Sequence, residues 1–99
     1  MPDPRIFPIP DVNNNYVTVL LVSTEILPAN THRVDLELVN DSDQIIYISR
    51  GEAAVIGNGI RLNANGGSYT MDTQNLYLGA FYGIAEGFAN ITYSEGVKP

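Results

Sequence analysis

Val34-Asp35-Leu36-Glu37-Leu38-Val39-Asn40-Asp41-Ser42-Asp43-Gln44-Ile45-Ile46-Tyr47-Ile48-Ser49-Arg50-Gly51 writes a strand, a polar turn and a second strand of different character. Val34, Leu36 and Leu38 alternate with Asp35 and Glu37, the period of two that marks a sheet with one buried face. Ile45 to Ile48 is apolar on both sides, so a small domain built from such strands must cover the second face or present it to a partner. That surplus apolar surface is the main pointer to function.

Outward from this stretch, strands are predicted at 16–24, 32–40, 44–50, 68–72, 76–82 and 89–95, with short ones near 53–56 and 60–62. Pro28-Ala29-Asn30 breaks the first connection, and Asp41-Ser42-Asp43 is read as a short hairpin loop. Gly57-Asn58-Gly59 and Asn65-Gly66-Gly67 supply residues that tolerate positive φ. No apolar stripe at helical spacing runs beyond about two turns. The expected class is therefore all-β: a single antiparallel β-sandwich, jelly-roll-like, or a flattened barrel, over residues 16–99. Residues 1–15, with Pro2, Pro4, Pro8 and Pro10, are expected to form an extended arm, because proline withholds the N–H that a helix or central strand needs. Its Ile6, Phe7 and Ile9 either fold back on the domain or dock on a neighbouring subunit.

Facing decides how much apolar surface is left over. Ala89, Ile91 and Tyr93 alternate with Asn90, Thr92 and Ser94, giving one inner and one wet face. In Tyr16 to Val22, and in Leu76 to Tyr82, both faces read as apolar. A two-layer sandwich buries one face of each strand, so these segments predict homo-oligomerisation, as a dimer or trimer, or a fixed protein partner. Tyr77, Phe81 and Tyr82 are the candidate subunit contacts.

Ninety-nine residues make one domain, and the 44% hydrophobic content suits a modest core. Charged residues are only 16%, against a usual ~25%, so neutral Asn, Gly, Ser, Thr and Tyr take an unusual share of the surface. The net charge of -6 repels phosphate backbones and anionic lipid, which argues against nucleic-acid and membrane partners. No run approaches the ~20 apolar residues of a helical membrane span. The opening Met1-Pro2-Asp3-Pro4-Arg5 has no apolar core of a secretion signal, so none is expected. Without cysteine the chain has no disulfide, thiolate ligand or thiol nucleophile.

The chemical candidates are thin. His32 is the only histidine, with Asp35 and Asp41 as the nearest acids, and it reads better as a polar strand-start residue than as a base or ligand. Asn40-Asp41-Ser42-Asp43 could begin a calcium loop but lacks the closing Glu, so a hydrogen-bonded turn is preferred. Neither Gly-rich turn has the lysine or helix of a phosphate cradle, and no serine sits in a G-x-S-x-G elbow. Asn40-Asp41-Ser42 and Asn90-Ile91-Thr92 match the glycosylation sequon, a pattern common by chance. No enzyme activity, metal or cofactor is expected. Six Tyr and three Phe keep a carbohydrate-binding module open as a rival reading, although no Trp is present.

The segment from Ile26-Leu27-Pro28-Ala29-Asn30 through Arg33 to Asn40-Asp41-Ser42-Asp43, then Ile46-Tyr47-Ile48-Ser49, Gly59-Ile60-Arg61-Leu62-Asn63, Gly66-Gly67-Ser68-Tyr69, Leu76-Tyr77 and Ala89-Asn90-Ile91-Thr92, resembles small β-sandwich virion proteins of tailed bacteriophages, over roughly residues 20 to 95. The resemblance rests on strand and turn phrases and not on a catalytic signature. It implies a structural role: a head decoration (cement) protein that oligomerises and clamps the major capsid protein on the outer shell of a virion assembled in the host cytoplasm. A tail, baseplate or head-fibre accessory component is the alternative it leaves.

Overall fold

The computed structural model describes residues 11–72 and 74–98; the arm residues Ile6, Phe7 and Ile9 lie outside them. Eight strands follow one another as β1 (Asp11–Val19), β2 (Thr24–Leu27), β3 (Arg33–Asn40), β4 (Ile46–Arg50), β5 (Ile60–Leu62), β6 (Ser68–Met71), β7 (Phe81–Ala85) and β8 (Ala89–Val97). They form two antiparallel four-stranded sheets, β1-β8-β3-β6 and β2-β7-β4-β5, packed face to face. The chain is a β-sandwich, and the strand order is that of a jelly roll.

The order has a simple origin. β1 pairs with β8, β2 with β7, β3 with β6 and β4 with β5, so the chain is one long antiparallel ribbon whose tip is the loop between β4 and β5. Rolling that ribbon up adds β3 against β8 and β4 against β7 and closes the two sheets. Every connection except β4 to β5 therefore passes from one sheet to the other.

Side-chain alternation places the core between the sheets. Val17, Val19, Leu36, Leu38, Met71, Ala89 and Ile91 point inward from the first sheet, and Ile46, Ile48, Leu62, Phe81 and Ala85 from the second. A bulge between Glu25 and Leu27 lets the consecutive residues Ile26 and Leu27 both reach the core. Phe81 sits at its centre, edge-on to Tyr77 with ring centroids 5.5 Å apart and tilted to Tyr69 at 6.4 Å.

Several predicted boundaries are corrected. The strand expected at 16–24 stops at Val19, because Leu20–Ser23 is a corner where the chain changes sheets; Thr24 Oγ1 accepts from Leu20 N at 3.3 Å and donates to Val22 O at 3.0 Å. The same strand starts at Asp11, so residues 11–15, read as part of the arm, pair with β8. The strand expected at 76–82 becomes an irregular approach over 76–80, its Leu78 and Ala80 carbonyls accepting from Asn30 N and Gly51 N, followed by β7, and no strand forms at 53–56. Asp41-Ser42-Asp43 does not close a hairpin, since β3 and β4 lie in different sheets.

Three glycines of the β4–β5 tip lie in the left-handed region, Gly51 at φ 83° and Gly57 and Gly59 at 84°. A Cβ on Gly57 would stand in open space, whereas one on Gly59 would run into the Ile48 carbonyl across the ladder. Gly57→Ala should cost the conformational strain alone, about 1–2 kcal/mol. Gly59→Ala should cost at least ~1 kcal/mol more in urea unfolding, because a backbone collision adds to the same strain; equal losses would show that the tip yields.

Candidate functional site

The best-organised polar cluster lies inside the sandwich. Arg33 starts β3 beside a bulge between Arg33 and Asp35, and Asp35 Oδ1 accepts from Gly96 N at 2.9 Å to hold that irregularity. The bulge turns Arg33 inward, where it is fully buried. Its Nε donates to Glu95 Oε2 at 2.6 Å, Nη1 to the carbonyls of Tyr77 and Gly79 at 2.9 Å each, and Nη2 to that of Pro28 at 2.8 Å. The guanidinium carbon also stands 5.4 Å from the centroid of the Phe81 ring.

Arg33 and Glu95 belong to the first sheet, while Pro28, Gly79 and Phe81 flank or belong to strands of the second. One side chain thus ties the two layers together. Asn13 Nδ2 on β1 donates to the other Glu95 oxygen at 3.3 Å. A charge buried this deeply needs its full set of partners, and a guanidinium is the one cation whose planar fork can reach so many acceptors at once.

Asn40, also fully buried, plays the matching part at the other end of β3. Its Nδ2 donates to the carbonyls of Gln44, Leu62 and Asn63 at 2.6, 3.2 and 3.1 Å, and its Oδ1 accepts from Ser42 Oγ at 2.6 Å. The turn reading of Asn40-Asp41-Ser42-Asp43 fits this geometry, since the polar atoms of Asn40 and Ser42 serve the crossover itself. His32 is exposed, its Nδ1 lying 3.3 Å from the Lys98 carbonyl. Among the described residues no three of His, Cys, Asp and Glu converge on one point.

The predicted interface residues separate. Tyr82 lies half-buried on the outer face of the second sheet, between Glu25 and Ser49. Tyr77 is half-buried, lying along Gly51 and Gly79 with the Arg50 guanidinium 5.8 Å from its ring centroid. Phe81 is a correction: at 0% exposure it fills the core and has no surface to offer a subunit. Its position in β7 aligns it with the buried Gly83 and Ala85, a phase hidden in the sequence because the strand begins at 81 and not at 76.

The exposed large apolar side chains sit on β1, where Val12 is 50% and Tyr16 65% exposed, and on three of the connecting loops. Val17, Ile45 and Tyr77 are each half-buried. Leu21 and Val22 on the β1–β2 corner are 54% and 65% exposed, Val55 and Ile56 on the β4–β5 tip 55% and 39%, and Phe88 on the β7–β8 turn 73%. These loops adjoin. Ser23 Oγ accepts from Ala54 N at 2.8 Å, joining the first corner to the tip, and Ala85 N donates to Leu20 O at 3.1 Å. Val19 pairs with Ala89, so Leu20 and Phe88 are the next positions in the same register. Loop positions at strand ends escape a period-two reading, which is why the patch was invisible as a patch.

Glu95→Gln leaves the Arg33 guanidinium buried without a counter-charge and should lower unfolding free energy by about 3–5 kcal/mol. Arg33→Met combined with Glu95→Leu removes both charges and should cost less than Glu95→Gln alone; chemical denaturation of the two variants decides it. Compared with known proteins, the chain matches no family model, no curated protein and no solved structure.

Proposed function

We propose that this chain is a non-enzymatic structural module that docks on an assembled protein shell, most specifically a decoration (cement) protein on the outside of a tailed-phage capsid. The observation that carries the reading is the set of Leu21, Val22, Val55, Ile56 and Phe88, five exposed apolar side chains on loops of a domain whose described strands, β1 apart, expose no large apolar side chain. Exposed apolar side chains gathered in one place suit protein contact, since covering them removes area from water at roughly 25 cal/mol per Å². The net charge of -6 suits an outer location, away from packaged DNA. The role is mechanical: a module bridging capsomers adds area that must be re-exposed before they part, which favours the assembled lattice by mass action. The resemblance of the strand and turn phrases to phage β-sandwich virion proteins is what supports a phage shell over other assemblies.

The particle itself is the test. Tagged chain added to virions stripped of their decoration should bind at on the order of hundreds of copies per head, as a lattice-following protein must, counted by quantitative mass spectrometry. Leu21→Asp with Phe88→Asp should weaken binding at least about tenfold, or ~1.4 kcal/mol, with the fold intact. Tens of copies would move the chain to the tail, and no binding to any virion part would overturn the reading.

A further inference from the structure

β1 is an edge strand unlike the other three. β2 has four residues and a bulge, β5 has three residues and β6 has four, so each offers little unpaired backbone. β1 runs nine residues in unbroken register with β8 and has no proline, no lysine and no bulge; its single charge is Asp11 at the end. Soluble proteins blunt long edges with those devices, because a bare row of N–H and C=O groups accepts another strand. Among the described residues that blunting is missing.

The direction of the free groups follows from the ladder. Asn90 O accepts from Asp41 N, so even-numbered residues of β8 face β3 and odd-numbered ones face β1. Their partners Asp11, Asn13, Asn15 and Val17 face back, which leaves the main-chain groups of Val12, Asn14, Tyr16 and Thr18 on the open edge. Tyr16 N agrees, since it donates to the Asn15 side-chain oxygen at 2.8 Å and not to β8.

We infer that the β1 edge pairs antiparallel with β1 of a second copy of this chain, about a two-fold axis at Asn14, joining two four-stranded sheets into one. In this register Asn14 meets Asn14, and Val12 meets Tyr16 on each side of the axis, forming about six main-chain hydrogen bonds at two per hydrogen-bonded pair. Val12 and Tyr16, 50% and 65% exposed and both on the outer face of the sheet, become cross-strand neighbours and cover each other. Asp11 falls opposite Val17, so no like charges oppose. The Asn15 carboxamide that shields Tyr16 N in the single chain is displaced by the partner's carbonyl. Self-pairing is favoured over a foreign strand because the edge is its own complement in shape, charge and apolar placement. The inference stands apart from shell docking, which uses the corner patch, and it moves self-association from Tyr77 and Tyr82 to β1.

Sedimentation equilibrium of the full chain, from about 1 to about 200 µM, should give twice the 10.8 kDa chain mass at the upper end. Asn14→Pro removes an edge N–H that β8 does not use, so it should yield a monomer with unchanged circular dichroism. Should that variant misfold, Asn14→Lys places two like charges on the axis and should weaken the dimer at least tenfold. Because the chain has no cysteine, Asn14→Cys should give a disulfide-linked dimer on mild oxidation. A wild-type monomer across the range, or a dimer that withstands both Asn14→Pro and Asn14→Lys, would overturn the inference and leave the binding of corner-patch variants to virions as a separate result.

Discussion

The fold depends on the buried Arg33–Glu95 ion pair and on what surrounds it. Burying a guanidinium and a carboxylate costs several kcal/mol each, and Coulomb attraction alone does not reliably offset that. What makes the site tolerable is that Arg33 also satisfies three carbonyls at the ends of β2 and before β7, which are turning points without sheet partners. Those carbonyls would otherwise lie half-buried and unpaired. The charge and the loop ends therefore solve each other's problem, and the 76–80 segment takes its path from the arrangement. Asn40 does the same with neutral chemistry at the far end of β3, so one strand carries the polar fastenings of both ends of the sandwich.

Between those fastenings the rolled ribbon explains why so small a domain has two usable surfaces. Rolling puts every crossover at a sandwich end, where short corners cannot bury all their side chains. Leu21, Val22 and Phe88 lie on two such crossovers, and Val55 and Ile56 on the β4–β5 tip, which the Ser23–Ala54 hydrogen bond joins to the first corner. Rolling also leaves β1 as an outermost strand, with no strand beyond it among the described residues. A corner patch and an open edge face different directions of use: one presses against a surface, the other continues a sheet.

Much of the architecture was legible in the chain. Alternation within 32–40 and 89–95 identified one-faced strands; of the inward sets Val34, Leu36, Leu38 and Ala89, Ile91, Tyr93, all are buried except Val34 and Tyr93, which are half-buried. The absence of helical spacing and the regular Gly, Asn and Pro breaks were enough for an all-β sandwich with a jelly-roll character. Less legible was where apolar runs change role. Tyr16 to Val22 read as one two-faced strand, yet its second half is a corner, because an apolar residue in a turn looks the same as one on a strand's second face. Phe81 was assigned to an interface for the same reason: without the start of β7, the phase of its alternation is undetermined.

Local sequence, then, decided which segments are extended and which side of each is apolar, since pleat geometry and side-chain hydropathy act within a few residues. Which turns reverse a strand and which carry it to the opposite sheet was settled only in three dimensions. Asp41-Ser42-Asp43 is a crossover because Asn40 finds its acceptors in Leu62 and Asn63, more than twenty positions away. Arg33 likewise is an ordinary strand-start residue until the roll sets Glu95, Pro28 and Gly79 around it. Such long-range hydrogen bonds have no periodic trace in the chain, because their spacing reflects the path of the ribbon and not the repeat of its backbone.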